Sequence, residues 1–457
     1  MTMWGKRIKK LAPGQLLILV YAVAIFIGAL ALSLPAAATG KPLSFLDALF
    51  TATSAQCVTG LIVVDTGTKL TLFGQMIVLL LIQLGGLGIT TFSVYLFFYL
   101  RIGVGVRGRW MVQETLLHKP VESLKDLVRE ILMLTLIVEG VGAALMAVVF
   151  IPAMGFWKGL YCSLFHSVSA FCNAGFSLFP DSLVGYHAHP LINVTVMGLI
   201  ILGGIGFLVI RETLDFLPGR RSKGRKRLSL HSRLVLLTSG VLIAGGALLI
   251  GLLEYQGAMA GMEFGEGFLT AVFQSVTART AGFNTIDLIQ FTPPTLFILI
   301  FLMFIGASPG SAGGGIKTTS LALFVAILHS RLKGNSHTNI FHRTVPNEVV
   351  TKTLSLVMLA ILLIGAAIFG LMAVQHPGPA TPDNLAAFMV YTFEAVSAFA
   401  TVGLSIGGTG QLFPLGKVII ILLMFIGRVG LLTVAFSIAR RSRGEGVLYS
   451  QENIMVG

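Results

Sequence analysis

Four copies of one short pattern constrain this chain more than any other feature. Each copy has an aromatic residue, a run of small and hydroxyl residues, and a glycine followed by a large apolar side chain. The first runs from Phe50-Thr-Ala-Thr-Ser-Ala55 to Val58-Thr59-Gly60-Leu61, and the second from Phe165-His-Ser-Val-Ser-Ala170 to Asn173-Ala174-Gly175-Phe176. In the third, Phe273-Gln-Ser-Val-Thr-Ala278 leads to Thr280-Ala281-Gly282-Phe283; in the fourth, Phe393-Glu-Ala-Val-Ser-Ala398 leads to Thr401-Val402-Gly403-Leu404. A repeat of roughly 115 residues sets the architecture before any single residue is interpreted.

The first copy (43–61) is too short to span alone, and each copy (43–61, 159–176, 264–283 and 384–404) reads as a short half-helix and glycine turn with a long apolar run on either side. Those runs are 14–34 and 70–99, 127–150 and 190–210, 234–253 and 295–328, and 354–374 and 415–439. Several approach the ~20 residues that span the hydrocarbon core. A length of 457 residues would ordinarily mean several soluble domains, but 55% apolar and 11% charged residues rule that out. The spacing predicts an all-α polytopic membrane protein of four span–pore-loop–span repeats, with eight transmembrane helices and four re-entrant half-helices. The boundaries fall at 1–100, 101–213, 214–335 and 336–440, with a tail at 441–457. Two spans per repeat give every repeat the same orientation, which suits a pseudo-fourfold axis along the membrane normal.

A net charge of +13 would suit nucleic acid if it were spread over a soluble surface. Most of it instead sits at the termini and in the segments between repeats, where the positive-inside rule places it. Only Lys41, Lys69, Lys158 and Lys417 lie on the side of the repeated pattern. Both termini are therefore expected in the cytoplasm, with the four loops open to the outside. The basic start before Pro13 reads as the approach to a first span rather than a removed signal peptide. The run from Arg220 to Arg227 reads as a topology determinant facing anionic membrane lipids, with a cytosolic partner as the lesser reading. Cys57, Cys162 and Cys172 have neither disulfide-framework nor zinc spacing. His166, alone in the second pattern, reads as packing, and His187 and His189 lack acidic or cysteine companions. No HExxH, GxSxG or paired-carboxylate arrangement supports an enzyme.

Irregular backbone inside a membrane is tolerated only where protein buries it or it lines a watery cavity. Four loops about one axis meet that condition together. Glycine accepts dihedrals closed to other residues, so carbonyl oxygens can turn inward and replace the hydration shell of a monovalent cation. The short helix before each loop directs its negative C-terminal end to the same place. The candidate ion-binding residues are Val58, Thr59 and Gly60, Asn173, Ala174 and Gly175, Thr280, Ala281 and Gly282, and Thr401, Val402 and Gly403, mainly through backbone carbonyls. No acidic ring accompanies the glycines, which disfavours a calcium-type filter. The plainer reading, glycines that only pack helix crossings, fits one loop better than four matched copies.

The last apolar run of the third repeat is interrupted by Gly306, Ser308, Pro309, Gly310, Ser311, Gly313, Gly314, Gly315 and Lys317. Ile316 before the lysine breaks the spacing of a phosphate-binding loop. Glycine and proline break a helix, and the freed backbone then needs a cavity. Next to a filter, such a loop would obstruct the path and could move aside. Arg428 is a buried cation in an apolar run, where a partner or water is required. Its expected place is beside the pore, holding the loop closed; the alternative is a structural arginine tied to carbonyls. Lys317 reads either as a further cationic element or as a side chain that snorkels to the membrane face.

The repeat plan and the four glycine motifs resemble the Trk/Ktr/HKT superfamily of potassium transporters over nearly the whole chain, most closely the membrane subunits of bacterial Ktr systems. The two extra N-terminal spans of Trk-type subunits are missing, and the ending Glu452-Asn453-Ile454-Met455-Val456-Gly457 is similar to the Ktr type. The third copy is one residue short, with Arg279 in that place. The resemblance implies K⁺ uptake across the bacterial cytoplasmic membrane through a filter and an intramembrane gating loop, with no organic cofactor. It further implies Na⁺ as an activator, a homodimer, and a cytosolic ring of KtrA-like nucleotide-binding regulatory subunits. Competing readings are a less selective Na⁺/K⁺ pathway of the same fold and a secondary transporter of an organic solute. The latter usually shows two inverted repeats. A membrane-embedded structural or signalling protein would leave the loops unexplained.

Overall fold

Prolines and hydroxyl residues open the helices. The computed structural model describes residues 13–87, 124–216, 228–376, 382–431 and 433–434. The first unit holds α1 (Pro13–Leu32), α2 (Phe45–Gln56), the short α3 (Thr66–Lys69) and α4 (Leu72–Gly86). The second holds α5 (Leu124–Met154), α6 (Phe156–Phe171), α7 (Pro190–Ile205) and α8 (Phe207–Phe216). In the third are α9 (Leu230–Glu254), α10 (Phe264–Thr277), α11 (Pro293–Phe304) and α12 (Thr318–Leu332), and in the fourth α13 (Asn347–Gln375), α14 (Pro382–Ala400) and α15 (Pro414–Val429). Proline stands at the start of α7, α11 and α15, where its missing N–H costs nothing. A two-stranded hairpin, β1 (Asn339–Ile340) and β2 (Arg343–Thr344), connects α12 to α13.

Burial runs opposite to that of a soluble protein. Leu136, Leu252 and Phe369, on the long apolar helices, are 66%, 68% and 78% exposed. Such apolar surface is stable only against lipid. The short helices α2, α6, α10 and α14 are enclosed instead. Phe50, Phe165, Phe273 and Phe393, the aromatics of the repeated pattern, are wholly buried together with Ser54, Ser169, Thr277 and Ser397. The core is thus built around the four helices of the repeated pattern.

Polar side chains tie each unit and its neighbours together. Glu254, ending α9, accepts hydrogen bonds from the N–H and hydroxyl of Thr292 at the start of α11 (2.9 and 2.8 Å). Gln375, ending α13, does the same for the N–H of Phe413 before α15 (2.9 Å). Between units, Lys417 meets Asp47 at 2.6 Å, joining the fourth to the first, and His187 meets Glu266 at 2.7 Å, joining the second to the third.

Among the described residues, Val128–Met154, Leu230–Glu254 and Asn347–Gln375 are each long and apolar enough to cross a bilayer alone. The runs 190–210 and 415–439, expected as continuous spans, are not. Helix α7 stops at Gly206 (φ 97°) and α8 leaves it at 101°. Helix α15 likewise stops at Gly430 (φ 95°). These left-handed glycines sit where the third unit has Pro309, so the break occurs in the three units where this point is described. The N-terminal basic cluster, the run Arg220–Arg227 and the tail from 435 lie outside the described residues.

Candidate functional site

All four short helices end just before the repeated glycines, and the turn that follows is alike in each. The residue two before the glycine has a positive φ: Val58 (56°), Asn173 (60°), Thr280 (75°) and Thr401 (53°). The glycines follow at 92°, 68°, 79° and 93°. Three of the four non-glycine residues are β-branched, for which this conformation is a genuine outlier. Strain of this kind costs about 1–3 kcal/mol per residue and persists only where the surroundings over-determine it.

Hydrogen bonds supply that constraint. The N–H groups of Thr59, Ala174 and Val402 bond to the carbonyls of Ser54, Ser169 and Ser397, five residues back. In the third copy Ala281 bonds to Thr277, four residues back. The missing residue is absorbed there by a tighter turn, and displaced Arg279 turns away to donate to Ser239 in α9 (3.0 Å). The pattern's hydroxyls add a second layer. Ser54 and Ser397 accept from the N–H of Gly60 and Gly403, both at 3.1 Å. Ser169 and Thr277 donate to the carbonyls of Phe176 and Phe283, at 2.8 and 2.6 Å.

The position after each pattern phenylalanine braces the outgoing chain in three units. His166 Nε2 lies 3.0 Å from Ser177 Oγ, and its ring stacks on Phe179. Gln274 reaches Thr285 at 3.5 Å. Glu394 accepts from Ser405 Oγ (2.5 Å), the N–H of Gly408 (3.2 Å) and the hydroxyl of Thr409. His166 is therefore a loop brace rather than plain packing. Neither set of braces was singled out from the sequence, although the hydroxyl recurs in the same register four times.

The four glycines close on one another in cyclic order. A Cβ on Gly60 would lie 2.5 Å from the Ala174 carbonyl oxygen, and one on Gly175 2.7 Å from that of Ala281. One on Gly282 would lie 2.5 Å from the Val402 oxygen, and one on Gly403 would run into that of Thr59. Eight of the twelve residues expected to bind the ion, Thr59, Gly60, Ala174, Gly175, Ala281, Gly282, Val402 and Gly403, therefore meet in a single ring. Three glycines of the neighbouring helices make it possible. Gly85, Gly203 and Gly427 press against the carbonyls of Gln56, Phe171 and Phe399, each four residues before a ring glycine, with no room for a side chain.

The segment 305–317, between α11 and α12, lies directly against this ring. The N–H of Gly314 donates to Thr401 Oγ1 (3.0 Å), and Gly313 packs on the Thr280 hydroxyl. Ser308 and Ala312 donate from their N–H groups to the carbonyls of Gly204 and Gly203, both at 3.0 Å. The Gly310 carbonyl accepts from Phe207 (3.3 Å), and that of Pro309 crowds Gly206, so the loop occupies the break between α7 and α8. Ser311 Oγ donates to the Ser308 carbonyl (2.6 Å), Thr318 Oγ1 donates to Ser308 Oγ (3.0 Å), and Gly306 packs on Gly314 and Gly315. Lys317 does not snorkel; its ammonium turns back to the carbonyls of Gly313 (2.7 Å) and Gly314. Arg428, aligned with Gly86 and Gly204 of the other units, donates to the carbonyl of Ala312 in the loop and to that of Gly85 in α4.

A helical membrane protein of four like units meeting at one glycine ring is the class that fold and site define. The fold is shared with the crystal structure of the potassium transporter TrkH from Vibrio parahaemolyticus, at a TM-score of 0.70 and 21% identity, over 93% of this chain and 84% of that one. Residues 12–443 match the family model TrkH, described as a cation transport protein. The Ktr system potassium uptake protein B of Bacillus subtilis is 38% identical over 98% of this chain and 97% of its own length. The potassium/sodium uptake protein NtpJ of Enterococcus hirae is 37% identical over the full length of both. The chain belongs to the TrkH family of cation transport proteins.

Proposed function

We propose that this chain takes up K⁺ across the bacterial cytoplasmic membrane through the four-glycine ring. The cyclic closure of the four loops carries this reading, supported by the likeness to proteins named for potassium uptake. Each unit contributes two spans and one re-entrant helix about a pseudo-fourfold axis, with both termini in the cytoplasm. Alternation of left-handed residues turns carbonyl oxygens toward the axis, where they replace the ion's water. The helix C-termini behind them add negative potential. The inward-negative membrane potential drives entry at roughly 2.3 kcal/mol per charge for each 100 mV.

The loop 305–317 is the gate, and Arg428 is its latch. Pinned to the ring through Thr401, the loop blocks the cytoplasmic exit until its bonds to α7, α8 and Arg428 break. A cytosolic ring of nucleotide-binding subunits acting on a homodimer of this chain supplies the trigger, and Na⁺ acts as an activator. The likeness to a protein named for both potassium and sodium uptake favours a second reading, a less selective pathway of the same fold.

Expression in a bacterium lacking potassium uptake, with and without a Ktr-type cytosolic subunit, tests the proposal. Rb⁺ uptake stimulated by the subunit is expected. Membrane-inserted protein that moves no Rb⁺ in either case would overturn it. A smaller effect is expected at the hydroxyl braces. Ser54→Ala and Ser397→Ala each remove one acceptor from a buried N–H, a loss of about 1–3 kcal/mol. The ratio of K⁺ to Na⁺ competition against Rb⁺ should fall several-fold, and an unchanged ratio would show that these hydroxyls do not hold the ring.

A further inference from the structure

At the N-terminal end of α9, a cavity of about 390 Å³ is lined by Leu228, Leu230, Arg233, Phe341, His342 and Arg343. Glu254, at the other end of the 25-residue α9, caps the helix that follows the third glycine loop. The cavity therefore opens near the opposite membrane surface. Among the described residues, no carboxylate lines it and none of the salt bridges uses Arg233 or Arg343. Glu212 is committed to the start of α9, accepting from Ser229 N–H and Oγ and from Ser232 Oγ.

The hairpin bordering the cavity is bent unfavourably. Phe341 and His342 join β1 to β2 with φ of 46° and 62°. Two consecutive left-handed residues suit Asn-Gly, not a phenylalanine and a histidine. Packing holds the turn in place: Ile340 and Val345 bury against Leu234, Ile327 and Val350, and Val345 N–H bonds to the Thr338 carbonyl (2.8 Å). Strain maintained by its surroundings is a pointer to function. Here it brings Phe341, His342 and Arg343 to the same cavity as Arg233.

Two guanidinium forks and an imidazole suit phosphate oxygens. Leu228, Leu230 and the exposed ring of Phe341 give the same cavity an apolar rim. Immediately before Leu228 in the sequence stand Arg220, Arg221, Lys223, Arg225, Lys226 and Arg227, a basic run of the kind that attracts anionic headgroups. We infer that the cavity between α9 and the β1–β2 hairpin is a binding site for a phosphate group, carried by an anionic lipid headgroup or by a free phosphate compound.

Native mass spectrometry of the full chain in detergent tests this, with phosphatidylglycerol, phosphatidylcholine and inorganic pyrophosphate as probes. Wild-type protein and a charge-matched control, K333Q/K352Q, should retain an anionic probe. R233Q/R343Q should retain roughly tenfold less, as loss of two charge-assisted contacts requires. Retention of phosphatidylglycerol over phosphatidylcholine assigns the site to lipid, and retention of pyrophosphate assigns it to a soluble anion. A second variant, His342→Gly, relaxes the turn; it should raise the unfolding temperature while lowering retention. Equal retention in all proteins, or none of either anion by the wild type, would overturn the site.

Discussion

Gly60→Ser and Gly403→Ser are expected to abolish most discrimination between K⁺ and Na⁺. Each serine faces two obstacles at once. Its φ, 92° or 93°, lies in the region that L side chains avoid, at a cost of about 1–2 kcal/mol. Its Cβ would also sit 2.5 Å from the Ala174 oxygen at Gly60, or collide with the Thr59 oxygen at Gly403. Neither oxygen belongs to a flexible side chain, so the ring backbone itself must shift. A filter that works by the number and placement of its oxygens loses preference before it loses conduction. The expected result is a fall of at least about tenfold in K⁺-over-Na⁺ competition against Rb⁺, which corresponds to roughly 1.4 kcal/mol. Unchanged competition in either membrane-inserted variant would remove these glycines from the ion path.

The second large effect is expected at the latch. Arg428→Gln deletes buried charge-assisted bonds to the carbonyls of Ala312 and Gly85, each worth about 1.5–3 kcal/mol. Losing that much from the closed state shifts the gate by a factor of ten or more, up to the limit set by complete opening. Rb⁺ uptake without any cytosolic subunit should therefore rise about tenfold, while ion preference stays unchanged because the ring is untouched. Deleting Gly310 to Gly315 should act in the same direction, since it removes the partners of Phe207, Gly203 and Arg428. Lower or equal uptake in a variant that still reaches the membrane would mean that the loop supports the path instead of closing it.

Much of the ring was legible because it is written four times. The glycines, the preceding short helices and the apolar runs around them each follow from the repeated pattern and its hydropathy. The interruption at 306–317 was legible for a similar reason, since glycine and proline cannot continue a span. The left-handed turns at Val58, Thr280 and Thr401 were not, because β-branched residues carry a preference against that conformation. Their dihedrals come from hydrogen bonds to the helix ends and from the next loop in the ring. The breaks at Gly206 and Gly430 were hidden because one glycine in an apolar run reads equally as helix packing. Only the loop pressed into the gap shows why α7 ends there. The partners of Arg428 lie 116 and 343 residues away in the chain, so no local spacing could reveal them. Lys317 had two open readings, and the free carbonyls of Gly313 and Gly314 decide between them.

The most direct measurement of the central claim is Rb⁺ flux into proteoliposomes holding the purified chain, under an inward-negative potential, with competing K⁺ or Na⁺ outside. If ions pass through the glycine ring, potential-driven Rb⁺ entry is blocked by excess K⁺, spared by excess Na⁺, and loses that distinction in Gly403→Ser. Entry that ignores both competitors, or that keeps its preference when the ring glycine is replaced, would contradict a K⁺ path through the four loops.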